Sequence, residues 1–143
     1  LNPFDSTCEK ILGLHAPLKN SKPKDKDKVI IGYYELNSLS DKFIRIDETE
    51  TWCWQQGCRL RWHPSGKDTI IYNKIVDNNY GSVFQDIKSK KIINSYNMPI
   101  YCIDSKAKVA LSLNFSRLNR LREGYGYSNF IDETESFDNT HTE

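Results

Sequence analysis

Histidine, cysteine and methionine are scarce in this sequence, with three, four and one among 143 residues. Ligating side chains this few must be clustered to hold a metal, and they are not. The histidines stand at 15, 63 and 141, the cysteines at 8, 53, 58 and 102. Cys53 and Cys58 come nearest to a pair, and free buried thiols are the plainer reading of them, so no cofactor is expected. The same cysteines are too few and too scattered for a disulfide framework. Charge of one sign is missing too: twenty basic against nineteen acidic residues leave a formal +1. That gives no field to recruit nucleic acid or an anionic membrane. No run approaches the ~18 consecutive apolar residues of a membrane span. No basic-then-apolar leader is visible, although the chain opens on Leu1 rather than Met. These absences favour the cytoplasm as the expected compartment.

Helical periodicity is the remaining absence. Ser116 to Glu123 is long enough for two helical turns before Gly124 and Gly126 end them. What the chain has instead is short β-branched and aromatic runs separated by turn residues. Ile11 to Leu14 reads as a strand. Lys19 to Lys28, with five lysines and a proline, reads as a solvated linker, because its aspartates argue against a polyanion site. Val29 to Leu36 and Phe43 to Ile46 form a hairpin about the turn Asn37 to Asp41. Arg59 to Trp62, Thr69 to Asn73, Tyr80 to Ile87 and Ile92-Ile93 then make a four-stranded antiparallel meander, with turns at His63–Asp68, Asp77–Asn79 and Lys88–Lys91.

The pattern restarts. Leu60 to Lys67 matches Ile100 to Ala107 in residue type, forty positions on, and each is followed by an apolar strand. A four-stranded unit of that period has the spacing of a β-propeller blade. The expected fold class is therefore all-β, with antiparallel four-stranded blades of a partial, open β-propeller of two to three blades. Three regions follow: residues 1–28, an N-terminal strand and Lys-rich linker; 29–130, the partial propeller; and 131–143, an acidic polar tail read as a loop.

Several motifs add a resemblance. Trp54-Gln55-Gln56-Gly57, Leu60-Arg61-Trp62-His63-Pro64, Ile71-Tyr72-Asn73, Pro99-Ile100-Tyr101 and Arg122-Glu123-Gly124-Tyr125-Gly126-Tyr127 resemble a family of bacterial proteins with TolB-like or WD-repeat-like β-propellers, most without an assigned function. The likeness spans roughly residues 28–130. Glu123 stands where that family has proline, and Cys53 separates the two tryptophans. The resemblance implies a longer parent protein, of which this chain would be a fragment. A closed propeller needs at least four blades, roughly 160 residues at this period. A fragment of one exposes strand edges, which invites self-association.

Propeller geometry puts inter-blade links on the same face as the links from second to third strands. The loop Thr51 to Cys58 is of the first kind, and Asn114 to Tyr127 is of the second. The expected ligand-binding set on that face is Trp52, Trp54, Gln55, Gln56, Asn73, Arg117, Arg120, Arg122, Tyr125 and Tyr127. Aromatic faces suit sugar rings, glutamines donate and accept, and arginines grip carboxylates or phosphates. The set points to an anionic saccharide or glycan.

Structural readings stand beside that one. The tryptophans would also fill the wedge between blades, the Gly-Tyr-Gly-Tyr segment would also serve as a turn, and the arginines would also form a solvated face. His63 reads as a turn residue without an orienting partner, and Asp47, Glu48 and Glu50 as an exposed acidic turn rather than a cation site. The expected function is a binding module for a saccharide or protein partner. The alternatives are part of a polysaccharide lyase or hydrolase, for which no acid–base pair is visible, and a protein-interaction scaffold.

Overall fold

The computed structural model describes residues 2–16, 27–37, 42–64, 66 and 68–138. Three antiparallel sheets follow one another along the chain. The first is β1 (Lys10–His15), β2 (Val29–Glu35) and β3 (Ile44–Thr49), in that order. The second is β4 (Arg61–Trp62), β5 (Thr69–Val76), β6 (Asn79–Asp86) and β7 (Ile92–Tyr96), again side by side in chain order. The third is the pair β8 (Cys102–Ile103) and β9 (Ala110–Leu111). Two short helices close the described chain, α1 (Phe115–Leu121) and α2 (Glu135–Asp138). The mostly β, antiparallel character expected from the turn spacing is what the chain adopts.

Local chemistry accounts for the hairpins. β5 and β6 pair from Thr69↔Asp86 to Val76↔Asn79, leaving Asp77-Asn78 as a two-residue loop. Both loop residues have positive φ, 46° and 61°. This is the type I′ geometry that matches strand twist and that Asn and Asp tolerate. In β2 the period of two places Val29, Ile31 and Tyr33 on the buried face. β5 is buried on both faces at Ile70, Ile71, Tyr72 and Asn73, so it reads as a continuous apolar run and not as an alternation.

The principal core lies between the first two sheets. Leu12, Ile31, Tyr33 and Ile46 from the first meet Ile70, Tyr72 and Val83 from the second, with Trp52 and Cys58 of the connecting loop among them. A smaller core forms around Cys53, Phe115 and Tyr127, flanked by Tyr80, Tyr101 and Leu118. The other side of the second sheet is less covered. Ser82, Phe84 and Tyr96 border a groove of about 270 Å3 shared with Ile103 and Leu111. Met98, Val109 and Leu111 are each about 60% exposed there.

Three expectations change. β3 runs on through Thr49, so Asp47 and Glu48 lie on a strand and not in an acidic turn, and both are paired. Glu48 meets Lys28 and Arg45 at 2.6 Å each, and Asp47 meets Lys74 at 2.6 Å. The cations come from β2's approach, from β3 itself and from β5, beyond the reach of local composition. The 131–143 segment, read as loop, forms α2 in its described part. β1 is hydrogen-bonded to β2 along its length, from Lys10↔Glu35 to His15↔Ile30, so the N-terminal strand belongs to the first sheet. Most of the Lys-rich linker, part of the Asn37 to Asp41 turn, Ser65, Lys67 and the end of the tail lie outside the described residues.

Asp47 joins the two large sheets through polar contacts. Its carboxylate accepts from the Tyr72 hydroxyl and from Lys74. Burial alone would raise its pKa, but the bonds from Lys74 and Tyr72 outweigh it, and the group sits below the ordinary carboxylate value. A depressed folded pKa contributes stability that is present above the unfolded value, about 4, and is lost as pH falls through the folded one. Asp47→Asn is therefore expected to lower the urea midpoint at pH 7, with the gap to the parent protein closing as pH falls below about 4. A gap that stays constant down to the acid transition would show that the charge on Asp47 does not matter.

Candidate functional site

The loop between β3 and β4 is built on a tight backbone link. Cys53 N–H donates to Gly57 O at 3.2 Å and Gly57 N–H returns to Cys53 O at 2.9 Å. Gly57 takes φ +56° to close it. This folds Trp52 inward and Trp54 outward. Trp52 is 6% exposed and its Nε1 donates to Asp27 O at 2.8 Å. Trp54 is 50% exposed and rests edge-on against Trp52, with centroids 5.3 Å apart. Cys53 and Cys58 are buried free thiols, and burial pushes Cys58 up to about 12, far from a thiolate that would bind or react.

The loop meets the Arg/Tyr segment. Gln55 N–H donates to Gly124 O at 3.2 Å, and Asn129 Nδ2 donates to Glu50 O at 3.1 Å. Cys53 packs into the small core with Phe115 and Tyr127. α1 begins where the Asn114 side chain accepts from Arg117 N–H at 2.9 Å. It ends at Arg122, whose extended backbone leads to Gly124 at φ +86°. Gly126 lies against α1 so closely that a Cβ would stand 2.1 Å from Phe115 O. The Gly-Tyr-Gly-Tyr run is thus a turn in its own right, with a side chain excluded at Gly126.

The ten residues singled out divide by burial. Trp52, Asn73 and Tyr127 are buried and structural. Asn73 Nδ2 donates to Ile100 O at 3.1 Å and to Tyr127 Oη at 2.9 Å, and its Oδ1 accepts from Ile100 N–H at 2.9 Å. Tyr127 stacks flat on Phe115 at 4.2 Å. Burial and then nearby thiols raise its pKa well above the ordinary tyrosine value. Arg120 donates to Asp132 at 2.8 Å. Burial would raise Asp132, yet the hydrogen bonds from Thr134 and Arg120 win and bring it down to about 2.

Trp54, Gln55, Gln56, Arg117, Arg122 and Tyr125 are at least partly open to solvent. Arg122 lies over the Tyr125 ring at 3.9 Å and donates to its hydroxyl at 3.1 Å. Gln56 Oε1 accepts from Arg59 at 2.9 Å. The open surface thus has an indole, an Arg-backed phenol and glutamine amides around the Gln55–Gly124 link. Such a surface can stack on a ring, hydrogen-bond hydroxyls and attract an anion.

Four residues escaped the sequence reading: Arg59, Arg61, Tyr101 and Asp132. Arg59 precedes β4 with φ 59°, and Arg61 is the first residue of that strand; their nearness in the chain is the only signal the sequence holds. Their convergence on Tyr101 depends on where β8 packs. Asp132 sits in an acidic, polar stretch and nothing local distinguishes it.

Asn73→Ala would leave the Ile100 N–H and C=O and the Tyr127 hydroxyl without this partner. Each buried orphan costs about 1–3 kcal/mol, so a loss of at least about 2 kcal/mol is expected in denaturant titration. Tyr127→Phe removes one bond and should cost about 1 kcal/mol. Equal, small effects for both would show that the amide is not a cross-link. No protein-family model, no curated protein and no solved structure matches this chain, and its own geometry is the ground for what it does.

Proposed function

We propose that this chain is part of a β-propeller-type binding module whose loop face takes an anionic saccharide. The propeller reading is supported by three successive antiparallel sheets, each joined to the next from the last strand of one to the first strand of the following. The observation that carries the ligand reading is the pairing of a half-exposed Trp54 with the Arg122–Tyr125 stack about a single backbone bond, Gln55 to Gly124. An indole held out of the core by a neighbouring tryptophan contributes little to burial and offers a flat apolar face to a sugar ring. Arg122 and the exposed Arg117 supply charge for a carboxylate. Trp52, Asn73 and Tyr127 act as the frame behind this surface.

Acidic and neutral oligosaccharides titrated against the protein, with tryptophan fluorescence as readout, test the reading. Saturable, salt-sensitive binding of the acidic series is expected. Trp54→Ala should weaken it at least about tenfold, and Arg122→Gln should weaken the acidic series while sparing the neutral one. An unchanged titration in Trp54→Ala would sink the proposal.

A second reading has its own observation. Strand β7 exposes Ile92, Ile93 and Tyr96, and the segment through β9 exposes Val109 and Leu111. An edge next to an apolar face pairs readily with another strand, and self-association through it is the expected behaviour. Sedimentation equilibrium should show mass rising with concentration, and Leu111→Lys should return the protein to a monomer. A parent protein that is monomeric at high concentration would remove this reading.

A further inference from the structure

Arg61 is a buried cation, and among the described residues none supplies it a counter-charge. It lies on β4, 7% exposed. Its Nη2 donates to Tyr101 O at 3.0 Å, whereas Nε is buried and has no partner. No carboxylate pairs with it among the described residues. The neighbouring Arg59 does not relieve it. Arg59 donates from Nε and Nη2 to the same Tyr101 oxygen at 2.9 and 2.6 Å, and lies 4.2 Å over the Tyr101 ring. Its third bond goes to the neutral Gln56. One carbonyl oxygen, with two lone pairs, therefore faces three guanidinium N–H groups from two cations. Burial, and then repulsion from Arg59, push the Arg61 guanidinium down. Buried charges are ordinarily paired or coordinated, so this arrangement favours an anion beside it.

The space for one is there. Arg61 lines a cleft of about 280 Å3 together with Asn2, Ser6, Trp62, His63 and Ile103. The N-terminal segment forms its outer wall, tied down where Trp62 Nε1 donates to Pro3 O at 2.8 Å. Asn2 Oδ1 accepts from Phe4 N–H at 3.1 Å, which leaves the Asn2 Nδ2 hydrogens as donors. The cleft is smaller than the usual pocket for a whole organic ligand, which starts at about 300 Å3, and suits a single charged group. None of the residues around Trp54 lines it, so it is separate from that surface.

We propose that this cleft is an oxyanion site for one carboxylate or phosphate group, with Arg61 as its charged floor and Asn2 and Ser6 as its rim. The guanidinium presents planar N–H groups suited to either group, and Arg59 adds positive potential from behind. The site does not depend on the saccharide reading. Its test is a titration with inorganic phosphate and, separately, acetate at constant ionic strength, followed by the arginine Nε–H signals in 1H–15N spectra. A saturable shift of the Arg61 signal is expected, beyond the common drift of the other arginines, and the anion that binds more tightly identifies the group. The surface variants Asn2→Ala and Ser6→Ala should each weaken binding about threefold or more, and Arg61→Lys, which keeps the charge but loses the fork, about tenfold or more. No saturable shift with either anion, or rim variants that bind like the parent protein, would overturn the proposal.

Discussion

Asn73 is fully buried near the middle of β5, and all of its polar groups are engaged. Its N–H donates to Cys58 O at 2.8 Å and its C=O accepts from Thr49 Oγ1 at 3.0 Å. Its side-chain amide clasps both backbone groups of Ile100 and donates to Tyr127. Through one residue the second sheet is thereby attached to the end of β3, to the tryptophan loop, to the strand region that opens the third sheet and to the turn after α1. A buried amide is costly to desolvate unless every donor and acceptor is met. Here the side-chain amide is met by two segments and the backbone of the same residue by two more, and Asn73 is fully satisfied only while all four are in place.

The candidate surface follows from that anchoring. With Ile100 and Tyr127 held to β5, the Arg/Tyr segment has to pass beside the tryptophan loop, and Gln55 and Gly124 meet. Gly126 admits the close approach to α1 that Tyr127 needs to reach both Asn73 and Phe115. Residues held for support and residues left open are neighbours in sequence: Trp52 and Trp54, Tyr125 and Tyr127. The backbone link from Cys53 to Gly57 encloses Trp54 in a turn and leaves Trp52 before it, and the bond of Tyr127 to Asn73 draws that ring inward while Arg122 covers Tyr125.

Strand content was legible because apolar runs and turn residues alternate at short spacing, as at Val29 to Tyr33 and at Asp77-Asn78, where local sterics decide. The shared face expected for the tryptophan loop and the Arg/Tyr segment rests on propeller geometry, whereas their contact through Gln55 and Gly124 comes from packing. Burial within the site was not legible. Nothing in the residue types of Trp52 and Trp54 tells which one enters the core, and the amphipathic character of both rings suits either place. The acidic residues of β3 differ from the expected exposed turn for a similar reason. Local composition shows carboxylates near a loop, but Lys74 and Tyr72 reach Asp47 from another sheet. In the sequence Arg61 is one position of a short strand, and that no counter-charge reaches it among the described residues depends on how the surrounding segments pack.

The tryptophan loop and the succession of antiparallel hairpins were determined by the chain itself, because hairpins form between neighbours and turn chemistry acts over two to four residues. Which side chains became frame and which became surface was decided only by tertiary structure. Burial and hydrogen-bond satisfaction depend on partners twenty-five to eighty positions away, as in Trp52 with Asp27, Asn73 with Tyr127 and Glu50 with Asn129. Those distances are set when the sheets pack, and no local pattern encodes them.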